Sequence, residues 1–156
     1  MEAGAEALAR GDPQAAFACY QSAARVEPGL AGAWYMQGGV YVMVGRGDEA
    51  LRYFEHAVAL QPLHAEAWFE MGNVLLSQAR PQLAERALVA AARALRTAAE
   101  AGGGGGGGGG SGRGVVAGLA DEQLHATVLS NLGNALLEQG RGAEAEAFIR
   151  LQQPGV

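Results

Sequence analysis

The chain has 156 residues, 49% of them apolar, and a formal charge of −5 from 11 basic and 16 acidic side chains, enough for one substantial core. All 11 basic residues are Arg, which excludes Schiff-base chemistry on a lysine, and an acidic chain with dispersed arginines excludes a phosphate-tracking, nucleic-acid-binding surface. A single cysteine, Cys19, excludes an internal disulfide and points to an intracellular, cytoplasmic chain, while the longest apolar stretch, Ala87 to Leu95, is broken by Arg93 and too short to span a membrane.

In chain order, apolar periodicity and breaker residues predict helices over roughly 1–10, 13–27, 32–44, 48–60, 65–78, 82–100, 121–139 and 142–152, with no strands. The first helix ends at Gly11, a position suited to a left-handed cap, and Asp12-Pro13 starts the second. Gly45 and Gly140 fall at the equivalent place in later helix pairs. In the third pair Ala79 replaces that glycine and Pro81 supplies the restart. The sixth helix carries its Ala-, Leu- and Arg-rich pattern through Ala101, until the nine glycines Gly102 to Gly110 end it. Poly-Gly has the most backbone entropy to lose and nothing to bury, so Gly102 to Gly114 is expected to be a disordered tether. A phosphate-cradling loop would need a strand before it and Lys-Ser/Thr after it, and both are missing. At the far end, Leu151 to Val156 does not continue the helical pattern.

Shifting the sequence by 34 residues superposes Trp34 on Trp68, Gly38 on Gly72, Ala50 on Ala84 and Ala57 on Ala91. The fullest copy reads Trp34, Gly38, Tyr41, Ala50, Phe54, Ala57 and Pro62. An earlier copy holds Gly4, Ala7, Ala16, Tyr20, Ala23 and Pro28, and a last one holds Leu129, Gly133, Leu136, Ala145 and Ile149. The last copy is displaced from the third by 61 residues, so about 27 residues are inserted. A 34-residue period marks a helical array. Small Gly and Ala positions let two antiparallel helices approach, while the aromatic and Leu positions fill the space between them.

This pattern resembles the tetratricopeptide repeat (TPR) family over nearly the whole chain outside the insert. The resemblance implies an all-α fold: an α-solenoid of antiparallel helical hairpins, a TPR superhelix of about eight helices with a disordered poly-Gly insert. The organisation expected is a partial repeat at 1–30, repeats at 31–64 and 65–98 (the latter with an extended second helix), an insert at 99–125, and a partial repeat at 126–156. The truncated copies at both ends read as part of a longer array.

In such arrays the first helices of successive hairpins line a concave face that, by resemblance, binds extended peptides. The register places Glu2 and Ala5 on this face, then Tyr35, Met36, Gly39 and Met43, then Glu66, Phe69, Glu70, Asn73 and Ser77, and finally Thr127, Ser130, Asn131, Asn134 and Glu138. None is basic. TPR domains that clamp acidic chaperone tails use Lys and Arg here, so this sequence departs from a chaperone-tail clamp. The aromatic and Met side chains Tyr35, Met36, Met43 and Phe69 fit an apolar or amphipathic peptide, with Glu70, Asn73, Asn131 and Asn134 beside them. The alternative for the apolar members is packing between adjacent hairpins. Ser130 to Leu136 is similar to repeats of O-linked N-acetylglucosamine transferases, in which an asparagine in the place of Asn131 recurs and holds peptide backbone. Glu2, Met36 and Glu70 occupy the other rungs here, so that ladder is absent.

Catalysis has no support in the motifs. His56, His64 and His125 lie far apart, without metal-binding partners at helical spacing, and read as solvated. Glu66 and Glu70, one helical turn apart, read as an exposed acidic edge. Cys19 reads as a small buried side chain, and Arg80, Arg86, Arg93 and Arg96 as a solvated face. The function expected is a non-enzymatic protein-interaction module, without cofactor or metal, binding a protein or peptide on the concave face. A substrate-recruiting arm of a larger enzyme such as an O-linked N-acetylglucosamine transferase, and self-association through uncapped ends, are the alternatives. Whether the last hairpin stacks on the others across the insert is left open by sequence.

Overall fold

The computed structural model describes residues 1–101 and 121–151, and the tether expected at Gly102 to Gly114 lies outside them. The described residues form eight helices: α1 (Glu2–Ala9), α2 (Pro13–Val26), α3 (Ala31–Met43), α4 (Gly47–Leu60), α5 (Ala65–Ser77), α6 (Pro81–Ala101), α7 (Asp121–Glu138) and α8 (Gly142–Leu151). Each bound lies within one residue of the sequence expectation. Consecutive helices pair as four hairpins, and each hairpin packs on the next through α2 with α3, α4 with α5 and α6 with α7. This is an all-α solenoid.

One turn repeats inside all four hairpins. Gly11, Gly45 and Gly140 adopt φ of 74–76°, and Ala79 takes φ of 54° at the same place. At each, a backbone N–H reaches back to close the helix end: Asp12 to Ala7, Arg46 to Tyr41, Arg80 to Leu75 and Arg141 to Leu136, all at 2.8–2.9 Å. This double-bonded end needs the left-handed backbone, which costs a Cβ-bearing residue about 1–2 kcal/mol. Asp12 then caps α2 by accepting from the Ala15 N–H at 2.9 Å, ahead of Pro13.

Within hairpins, a glycine faces a large side chain. A Cβ on Gly4 would stand 2.4 Å from the Tyr20 ring, one on Gly38 2.5 Å from Phe54, and one on Gly72 2.6 Å from Leu88. Between hairpins, Trp34 Nε1 donates to the Pro28 carbonyl and Trp68 Nε1 to the Pro62 carbonyl, at 3.1 and 2.9 Å. These staples repeat 34 residues apart, as the Trp and Pro positions do.

The fourth hairpin is seated on the third, which settles the stacking left open by sequence. Leu124, Val128, Leu132 and Ala135 of α7 form one buried cluster with Phe69 of α5 and Leu88 and Ala91 of α6. The long α6 supplies the extra docking surface, with Ala94 buried and Leu95 packed against the cluster. Polar contacts complete the joint. Arg141 Nη1 donates to Glu85 Oε2 at 2.7 Å, and Gln139 Nε2 donates to the same oxygen at 3.0 Å.

Candidate interaction face

The first helices of the hairpins, α1, α3, α5 and α7, carry the residues that the register assigned to the concave face. Their depth differs. Tyr35, Met36 and Phe69 are buried, as is Glu70 at 5% exposure. Tyr35 stacks against Phe54 and His64, with ring centroids 5.7 and 4.9 Å away, and Phe69 belongs to the cluster that seats the fourth hairpin. These side chains pack between hairpins, the alternative the sequence left open. Met43, 55% exposed, and Asn134, also exposed, stand on the accessible side.

Asn73 and Asn131 are half-buried and meet across the joint, Asn131 Nδ2 donating to Asn73 Oδ1 at 2.6 Å. The pair joins α5 to α7 over a sequence gap of 58 residues. The first helices therefore remain neighbours on one face despite the insert between α6 and α7.

Three sequence readings are corrected. His64 is buried rather than solvated, because it is the N-cap of α5: its Nδ1 accepts from the Ala67 N–H at 3.3 Å. The same nitrogen lies 3.2 Å from Glu66 Oε2, so a proton on Nδ1 turns it from the cap to that carboxylate. Glu66 and Glu70 are not an exposed edge, since Glu66 is half-buried and Glu70 lies beneath it in the array. Cys19 is half-buried rather than fully buried. His56 is exposed but leans on Trp34 with ring centroids 4.0 Å apart, and His125 is exposed.

The electrostatics of the acidic pair follow from this placement. Hydrogen bonding to His64 holds the Glu66 carboxyl below its ordinary value. Burial pushes the Glu70 carboxyl up, with the Asn73 side-chain amide pulling the other way. Burial, then the charges of Glu70 and Glu66, push the Tyr35 phenol up as well. The buried Tyr35 hydroxyl has no hydrogen-bond partner among the described residues. Sequence reasoning gave this hydroxyl no separate role; the available signal was Tyr35 standing 34 residues before Phe69, a hydroxyl where the next repeat has none.

No group of three His, Cys, Asp or Glu side chains among the described residues is arranged to hold a metal ion. No helix among them is long and apolar enough to cross a membrane.

Models of the tetratricopeptide repeat family match residues 31–74 and 125–150. Human "Tetratricopeptide repeat protein 7B" is 36% identical over 90 residues, which are 58% of this chain and 11% of that protein. The chain thus spans a small part of the length of this curated relative. Among solved structures, "MamA RS-1 ArsTM double mutant" superposes with a TM-score of 0.70 at 23% identity, covering 97% of this chain and 71% of that one. "Crystal structure of MamA protein" gives 0.54 at 19% identity, covering 97% and 87%. At these identities the likeness is one of fold.

Proposed function

We propose that this array of tetratricopeptide-type hairpins is a non-catalytic interaction module that takes an extended peptide segment along its concave face. The observation that carries the reading is the Asn73–Asn131 bond, which keeps α5 and α7 adjacent and makes one groove of what the insert would otherwise divide. Asn134 and Ser77 offer polar groups at the surface of that groove, and Met43 offers an adaptable apolar anchor. Tyr35, Met36 and Phe69 act beneath it by fixing the spacing of the helices.

The test is selection of a randomised dodecapeptide display library on the full chain, followed by affinity measurements on Met43→Ser and Asn134→Ala. Selected peptides should lose about tenfold in affinity on at least one variant. Binding that is indifferent to both substitutions places recognition elsewhere on the molecule.

A further inference from the structure

The concave face holds one polar cluster whose needs its own side chains do not meet. Tyr35 is 1% exposed, and its hydroxyl is buried without a hydrogen-bond partner among the described residues. The carboxylates acting on that phenol are Glu70 and Glu66 of α5. Glu70 is buried and forms no ion pair among the described residues. An orphaned hydroxyl and an uncompensated carboxylate are each costly out of water.

One kind of ligand answers both deficits. A guanidinium carries five N–H donors and no acceptor, so it can donate to a carboxylate and to the lone pairs of a phenol together. An anion is excluded by the two carboxylates. A metal ion is disfavoured because the cluster supplies only two of them. The rest of the groove agrees in sign: the charged residues assigned to it are Glu2, Glu66, Glu70 and Glu138, with no Arg among them. Glu66, with its side chain 42% exposed, lies at the mouth and Glu70 lies deeper. His64 is committed to capping α5, and Asn73 Oδ1 to Asn131, so neither supplies the missing cation.

We propose that Glu66, Glu70 and the Tyr35 hydroxyl form a receptor for one arginine side chain of the bound peptide. This rests on the concave-face reading and adds a chemical requirement to it. The partner is then an extended segment with a basic residue set among apolar ones, opposite in charge to the acidic tails that basic TPR grooves clamp. Arginine is preferred over lysine because its planar fork reaches two acceptors at once.

The same display selection tests it, run in parallel on the full chain and on Glu70→Gln and Tyr35→Phe, two near-isosteric variants whose helicity is checked by circular dichroism. Peptides selected on the unsubstituted chain should carry Arg at one fixed position, and that enrichment should vanish on Glu70→Gln. A selected peptide with its Arg changed to norleucine should bind about tenfold more weakly to the unsubstituted chain and equally to Glu70→Gln. Peptides that respond to Asn134→Ala or Met43→Ser but show no Arg enrichment, or keep it on Glu70→Gln, overturn the receptor and leave the groove. If no peptide is selected, both readings fall.

Discussion

Gly38 and Gly133 occupy the same place in the second and fourth hairpins, yet their surroundings differ. A Cβ on Gly38 would meet the Phe54 ring at 2.5 Å, whereas one on Gly133 would meet only Ile149, at 3.9 Å. Phe54 is fully buried and Ile149 is 44% exposed. The first three hairpins are closed by a large side chain against glycine and, where Trp is present, by its bond to a proline carbonyl. The fourth has Leu129 in place of Trp and Arg96 in place of the proline, and is held to its neighbour by α7 and by the Glu85 contacts instead. A repeated glycine in a sequence thus marks a position, while the partner 16 residues on decides whether the position is tight.

The sharpest way to break this comparison is to add one methyl group at each site. Gly38→Ala should destabilise the chain by about 1–3 kcal/mol through overpacking against a rigid ring. Gly133→Ala should instead stabilise it by about 0.5–1 kcal/mol, since helix propensity improves and nothing is struck. Denaturant midpoints measured on both variants check this, and equal losses would refute the difference. Next in size is the joint itself. Glu85→Ala removes the acceptor shared by Arg141 and Gln139, so amide exchange in α7 and α8 should quicken about tenfold while α3 and α4 keep their protection. Uniform quickening would mean that the array opens as one unit. Ala79→Gly should raise stability by about 0.5–1 kcal/mol, the relief of a left-handed alanine less the greater freedom of glycine in the unfolded chain. A thermal melt reads the gain, and no increase would mean that the third turn is unstrained.

The pH response is the finest probe. Burial raises the Glu70 pKa in the folded state, so folding takes up a proton there: its contribution to stability is full below the ordinary Glu range and is lost as pH rises through the folded value. Glu70→Gln should remove that decline, leaving the variant the more stable form near neutral pH. Denaturation series across the acidic range would show it, and parallel pH profiles would contradict the burial argument. Glu66, lowered by His64, pulls in the opposite direction, contributing stability that is lost on acidification.

The fold was legible because each turn is written in residue types with few alternatives. Gly11, Gly45 and Gly140 mark left-handed ends, Pro13 and Pro81 mark restarts, and the 34-residue spacing aligns the rest. Ala79 was readable as an exception by register alone. Depth on the concave face was not. Periodicity gives a residue's angle around its helix, but whether Tyr35 or Glu70 meets solvent depends on how closely the next first helix approaches, and that distance is set by side chains one period away. His64 illustrates the same limit: its burial comes from the Tyr35 ring, 29 positions earlier, and from its place at the start of α5. The seating of the fourth hairpin was also beyond local pattern, since Glu85 and Arg141 lie 56 residues apart.

The connection between Ala101 and Asp121 separates two helices that nonetheless pack as ordinary neighbours. Its length is therefore uncoupled from the geometry of the array, and loop-closure entropy makes further growth cheap, about 0.6 kcal/mol per doubling. Such a junction acts as a splice point: the segment can lengthen, shorten or receive a foreign domain over evolutionary or laboratory time, while the helices on either side keep the same interface.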